Sequence, residues 1–189
     1  YCHSVFDHLE IERKTAQTEL SLVSEQMELA GDDAGLRGRA LNRERYIRRK
    51  YRVALQVIEE DYPQFKHDQA YAGTKEEGDF RDIFITNTAY VALSRVFFVR
   101  MCEDLGLTTR KVSYSGLGVW RKFVEHIKDS YKDLLEVAYK DAGQVYSRLF
   151  EETVFDWYGK GNGRLNLILE RVLFRLNAFS FAKVDRDVV

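Results

Sequence analysis

Residues 87–106, NTAYVALSRVFFVRMCEDLG, decide the fold class. Thr86 or Asn87 can accept the first free backbone N–H groups of a helix, and Gly106 can take the left-handed conformation that closes one. Between them Tyr90, Leu93, Val96, Phe97, Val99, Met101 and Cys102 leave little polar surface. A helix that is apolar nearly all round belongs in a core, so the stretch predicts a buried central helix. Arg95, Arg100, Glu103 and Asp104 speak against a membrane span, where each charge near the centre would cost about 2.5–3.5 kcal/mol. Arg100 and Asp104 stand four residues apart and share a helix face. With Glu103 they form the expected structural ion pair that locks this helix to its neighbours.

Outward from that stretch the pattern stays helical. Leu9, Ala16, Val23 and Ala30 recur every seven residues, with Leu20 and Met27 interleaved, which predicts an amphipathic helix over 5–30. GDDAGLRG (31–38) predicts a loop. Ile47, Tyr51, Leu55 and Ile58 predict a second helix over about 40–61, and the two form an αα-hairpin. Pro63 is expected to end the second helix, because the residue before a proline avoids the helical region. Residues 64–85 are polar and glycine-containing and predict a loop with room for one short turn, and residues 107–118 predict another loop. Trp120, Phe123, Val124, Ile127, Tyr131, Leu134, Leu135 and Ala138 predict a long helix over about 119–142, closed or kinked at Gly143. Val145, Tyr146, Leu149 and Phe150 suit a short turn of helix. Leu165, Ile168, Leu169, Val172, Leu173 and Leu176 predict a last helix over about 164–178. The single proline and the scarcity of alternating runs complete an all-α expectation: a helical bundle around the central helix (81–189) with an N-terminal hairpin arm (1–80).

The composition, 45% hydrophobic and 31% charged, is that of a globular protein. A net charge of −1 gives no overall attraction to nucleic acid, so the distribution of charge carries the argument. Cys2 and Cys102 imply no disulfide framework and fit a reducing cytoplasm. The N-terminus has no signal pattern, and without an initiator Met the chain reads as part of a longer protein.

The sharpest chemical feature is LRGRALNRERYIRRKYR (36–52). It sets Arg37, Arg39, Arg43, Arg45, Arg48, Arg49, Lys50 and Arg52 against one acid, Glu44. Such a helix can line phosphates, and Tyr46 or Tyr51 can stack on a base or sugar. Arg110 and Lys111 could extend the basic surface. The competing expectation is internal neutralisation by Glu10, Glu12, Glu19, Glu25 and Glu28 of the first helix, which would leave a protein–protein module.

Other patterns carry less. Tyr158-Gly-Lys-Gly-Asn-Gly163 lacks the preceding strand and the Ser or Thr after the lysine that a phosphate cradle needs. Asp7 with Glu12-Arg13-Lys14 matches a nuclease acid–x–Lys pattern only loosely, on a helix rather than at strand ends. His3, His8, His67 and His126 have no partners at metal-ligand spacing, so no metal site is expected. Cys102 has no histidine base beside it, and Trp120, Phe155 and Trp157 suit a core. No glycine-rich turn follows a strand, so no methyl-donor or nucleotide site and no catalytic residue is expected in this chain.

The order of three segments carries a resemblance. They are TAYVALSRVFFVRMCEDLGL (88–107), SRLFEETVFDWY (147–158) and LILERVLFRLNAFSFAKVDRDVV (167–189). Together they resemble the helical region leading into the catalytic domain of adenine-specific (N6) DNA methyltransferases of restriction–modification or phage-defence systems. The matching positions are Leu93, Arg95, Phe98, Arg100, Glu103, Asp104, Gly106 and Leu107, then Leu176, Phe179, Phe181, Val184, Asp185 and Asp187. The resemblance covers residues 86–189. It implies a connector domain, with DNA and the neighbouring methyltransferase and recognition domains as partners. It also implies S-adenosylmethionine as cofactor of the parent protein. The family's catalytic and cofactor motifs have no counterpart among these residues, so none is carried over. A cytoplasmic protein with no membrane partner is expected.

Overall fold

The structure, a computed structural model, describes residues 1–71, 77–124, 130–160 and 164–183. Every regular element among them is a helix and none is a strand, so the fold is all-α. The chain divides into two compact units, Tyr1–Thr86 and Asn87–Val189.

In the first unit, α1 (Cys2–Leu29) and α2 (Ala34–Lys50) form the hairpin. The seven-residue stripe of α1 is its buried one: Leu9, Ala16, Val23 and Ala30 are all under a tenth exposed. Ala16 and Val23 pack with Ala40, Ile47 and Tyr51, flanked by Leu20, Met27 and Leu55. The turn is tighter than the expected 31–38 loop. Gly31 takes a positive φ of 50°, where a side chain would be strained. The Asp33 side chain accepts from the N–H groups of Gly35 (2.8 Å) and Leu36 (3.0 Å), starting α2 at once. Asp33→Ala should therefore cost about 1 kcal/mol, read as a lower urea midpoint by far-UV circular dichroism. Asp33→Asn should retain most of that stability.

Pro63 does not end the second helical run. After a break at Tyr51, whose backbone leaves helical geometry (φ −103°, ψ 18°), α3 (Arg52–Gln56) passes through a π-helical turn, Val57–Asp61, into α4 (Tyr62–Tyr71). The Tyr62 N–H reaches back five residues to the Val57 carbonyl. Pro63 has no N–H to donate, and its ring would crowd the carbonyl four residues earlier in a regular α-helix. The wider π turn just ahead of it lets the helix continue.

The expected loop 64–85 is also largely helical. α4 covers its start, and α5 (Glu77–Asp104) begins ten residues before the expected cap at Asn87. An aromatic cluster holds these turns against the start of α1. Phe6 meets Tyr62 and Phe84 edge-on, with ring centroids 5.5 and 6.0 Å apart, and Phe65 lies 5.2 Å from Phe84. Arg81 lies over the Phe6 ring at 5.1 Å and pairs with Asp7.

In the second unit, α5 is followed by α6 (Tyr114–Val124), α7 (Ser130–Gly143), the short α8 (Ser147–Phe150) and α9 (Arg164–Leu176). Gly106, at φ 72°, closes α5 as expected; the Leu107 N–H donates to the Cys102 carbonyl at 2.8 Å. The loop after it is shorter than 107–118, since α6 starts at Tyr114. The helix expected over 119–142 corresponds to α6 and α7. Val124 (its side chain), His126 and Ile127 lie outside the described residues, as do Gly161–Gly163, Val184, Asp185 and Asp187. Leu134, Leu135 and Ala138 of α7 are buried, with Trp157, Leu165, Leu169 and Leu173.

The central helix departs most from expectation. α5 is not apolar-in on every side. Thr88, Arg95, Val96, Val99, Arg100, Cys102 and Glu103 are buried, while Tyr90, Leu93 and Phe97 are 64%, 51% and 45% exposed. By length and composition, Asp79–Asp104 could cross a membrane. Its innermost side chains nonetheless include two guanidinium groups and a carboxylate, each bonded to other segments of its own unit.

Candidate nucleic-acid interface

The basic run forms α2 and its continuation. Arg37, Arg39, Arg43, Arg45, Arg48, Arg49, Lys50 and Arg52 are all exposed, on more than one face of the helix. At 100° per residue, Arg39, Arg43, Tyr46 and Lys50 fall on one stripe of α2 and Arg45 and Arg49 on another, with Arg52 beyond the break at Tyr51. Arg37 and Arg48 flank the second.

Neutralisation within the unit is sparse. Arg48 pairs with Glu44 one turn earlier at 2.8 Å, and Lys50 reaches Glu19 of α1 at 3.5 Å while lying 4.4 Å over the Tyr51 ring. The Tyr51 hydroxyl donates to Glu19 at 2.8 Å. That hydrogen bond, with Lys50 and Arg43 nearby, holds the Glu19 carboxyl below its usual range; Tyr51 and Glu19 in turn raise Lys50. The other glutamates of α1 do not share this work. Glu10 faces Arg81, Glu12 faces His8 at 3.3 Å, and Glu25 and Glu28 carry no ion pair among the described residues. Arg37, Arg39, Arg43, Arg45, Arg49 and Arg52 likewise carry none. Six guanidinium groups thus project from roughly four turns of helix without an ion-pair partner among the described residues.

Beside the first stripe runs an open cleft of ≈ 850 Å³ between α1 and α2. Arg39, Arg43, Tyr46 and Lys50 line one wall, with Glu19 opposite and an apolar floor that includes Ala30 and Ile47. Tyr46 is 65% exposed.

Arg110 and Lys111 belong to the second unit. Arg110 is exposed, but Lys111 is committed: its ammonium pairs with Asp141 and Thr109. That contact holds the Asp141 carboxyl below its usual range despite some burial. Lys111 therefore has a structural partner where a phosphate contact was expected.

The expected Arg100–Glu103–Asp104 ion pair is really two devices. Arg100 pairs with Asp104, and both grip the segment after α9: Arg100 donates to the Phe179 carbonyl at 3.2 Å, and Asp104 accepts from the Phe181 N–H at 2.8 Å. Burial would push the Asp104 carboxyl up, but Arg100 and the Phe181 N–H outweigh it and hold it down. Glu103 takes no part in this pair. Only 1% exposed, it accepts from the N–H groups of Lys111 (2.8 Å), Val112 (2.9 Å) and Ser113 (2.8 Å), the residues leading into α6.

Arg95 is the third anchor, missed because its acceptors are mostly main-chain. Its guanidinium donates to the carbonyls of Leu149 (2.9 Å) and Glu151 (2.6 Å) and pairs with Asp156. Asp156 also accepts from the Thr153 N–H at 2.6 Å. Tyr139 and Tyr158 lie beside this pair, and burial pushes the Tyr139 phenol well up.

The acids of the nuclease-like pattern have partners among the described residues: Asp7 is taken by Arg81 and Glu12 by His8. No group of three or more His, Cys, Asp or Glu side chains among the described residues could hold a metal ion. Burial, then Glu103, raises the Cys102 thiol, which suits a packing role. No protein-family model, curated protein or solved structure matches this chain.

Proposed function

We propose that this chain is a helical connector of an adenine-specific DNA methyltransferase, with the exposed face of α2 contacting the phosphate backbone. The observation that carries the DNA contact is the set of six guanidinium groups on α2 and α3 without an ion-pair partner among the described residues. Buried guanidinium groups would be structural; exposed and unpaired ones are available to phosphate.

The family assignment is supported by how the three resembling segments meet. Arg95 holds the middle segment through Leu149, Glu151 and Asp156, while Arg100 and Asp104 hold the third through Phe179 and Phe181. Phe97 packs edge-on against Phe181 at 4.7 Å. Among the described residues, parts of all three segments are thus joined through α5. The described residues contain no strand and so no glycine-rich turn after one. S-adenosylmethionine and catalysis would belong to the neighbouring methyltransferase domain in a cytoplasmic parent protein. The connector would position that domain and a recognition domain without itself reading bases.

Duplex binding should weaken steeply with salt. Each phosphate neutralised contributes about −0.9 to the slope of log affinity against log salt. Arg45→Ala with Arg49→Ala should therefore make the slope shallower by about two. These side chains are exposed, so the fold should survive. Absence of binding at low salt, or binding indifferent to salt, would overturn the reading. The family assignment makes a separate demand on the parent protein: a methyl-donor fold following this segment, with an Asn-Pro-Pro-Tyr-like motif.

A further inference from the structure

From the cleft beside α2 we infer that its Arg39–Arg43–Tyr46–Lys50 stripe binds single-stranded nucleic acid, with an unpaired base seated against Tyr46. The inference rests on the proposed contact between α2 and nucleic acid, and it specifies which form of nucleic acid one face prefers. The basic residues fall into two sets with different surroundings. Arg45, Arg49 and Arg52 are not among the residues that line this cleft, and their exposed guanidinium groups suit phosphates. Arg39, Arg43 and Lys50 border a cleft of ≈ 850 Å³ whose floor includes Ala30 and Ile47.

That volume lies within the about 300–1,000 Å³ range of sites that hold small organic ligands. A paired base buries its faces in the duplex stack and offers this cleft only a rigid backbone. An unpaired nucleotide can insert a flat apolar ring and leave its phosphates at the rim. Proteins that hold single strands combine a positive track with exposed aromatic rings on which bases stack. Here the ring is Tyr46, 65% exposed and placed three residues from Arg43 and four from Lys50. Glu19, the one carboxylate lining the cleft, is already held by the Tyr51 hydroxyl and Lys50. It therefore repels a phosphate less than a free carboxylate would.

The test uses the full chain and fluorescence anisotropy at low salt. The probes are a labelled oligothymidylate, a labelled duplex of equal length and labelled poly-glutamate. The single strand should bind more tightly than the duplex. Tyr46→Ala should weaken single-strand binding about tenfold, the order of one lost base stack, and leave duplex binding nearly unchanged. Tyr46→Phe, which keeps the ring, should bind the single strand like the parent chain. Circular dichroism verifies that both variants fold. If Tyr46→Ala leaves single-strand binding intact, or weakens both forms equally, the single-strand inference fails while salt-dependent duplex binding still supports the proposed function. If neither nucleic acid binds and poly-glutamate does, both readings fail and α2 is a surface for an acidic protein.

Discussion

Replacing Glu103 by alanine should destabilise the second unit by about 3–5 kcal/mol. The carboxylate is 1% exposed and accepts three consecutive backbone N–H groups, those of Lys111, Val112 and Ser113. An unmade buried hydrogen bond costs about 1–3 kcal/mol per orphaned group, and alanine orphans three donors together, less whatever water recovers at the half-buried Lys111. Glu103→Gln separates geometry from charge. Its amide oxygen can replace Oε1, which serves Lys111 and Val112, but the amide nitrogen then faces the Ser113 N–H, donor against donor. Glutamine should fall between, near about 1.5–3 kcal/mol. Both tryptophans, Trp120 and Trp157, lie in the second unit, so urea unfolding followed by tryptophan fluorescence reads this unit alone. A cost below about 1 kcal/mol for alanine would mean that these amides find other acceptors.

The damage should also be local. The loop that Glu103 holds leads straight into α6, and its backbone runs close under Gly116. A Cβ on Gly116 would lie 2.4 Å from the Lys111 carbonyl oxygen. Glycine at 116 and glutamate at 103 thus solve one problem from two sides: the loop can pass that near α6 only with no side chain there, and it stays there because its amides are held.

What the sequence discloses differs by the kind of partner each residue has. Where one side chain meets another at a fixed spacing, the pattern is legible. The Leu9–Ala16–Val23–Ala30 repeat identifies the buried stripe of α1, and Arg100 with Asp104 follows from the four-residue interval. Where the partner is backbone, the sequence is silent. Glu103 looks like a member of that ion pair, but its acceptor atoms serve amides eight to ten residues away; Arg95 has no acid at helical spacing to name its partner, and it binds carbonyls more than fifty residues away. The apolar run of α5 misleads for the same reason. With its charges consumed inside, Tyr90, Leu93 and Phe97 are left outside. Pro63 misleads differently: its steric rule forbids a regular α-helix, and the chain obeys it by opening a π turn rather than by stopping. In the basic run, composition reveals the charge. Only the fold reveals that Glu19 and Glu44 are the acids that reach it and that Tyr46 stands at a cleft.

Arg95→Ala should cost about 3–5 kcal/mol, because a buried pair broken on one side leaves the other charge stranded. The guanidinium is buried, with Asp156 largely so, and two of its nitrogens also satisfy the Leu149 and Glu151 carbonyls. Arg95→Lys keeps the positive charge but replaces a planar fork of donors with a compact ammonium. It cannot serve Asp156 and two separated carbonyls together, so it should lose about half as much. Asp156→Asn removes the opposing charge while preserving shape, and in combination with Arg95→Ala it relieves the stranded carboxylate. The double variant should therefore be more stable than the sum of the single losses implies, by about 1.5–3 kcal/mol. Trp157, 1% exposed and next to Asp156, makes its emission a local reporter. Strict additivity would show that Arg95 acts through the carbonyls alone. If coupling is found, the guanidinium fastens the 147–158 segment to α5 by charge as well as by hydrogen bonds. Loosening it would then release the middle of the three segments on which the connector reading depends, and this explains why an arginine occupies a buried position that apolar packing alone would give to leucine.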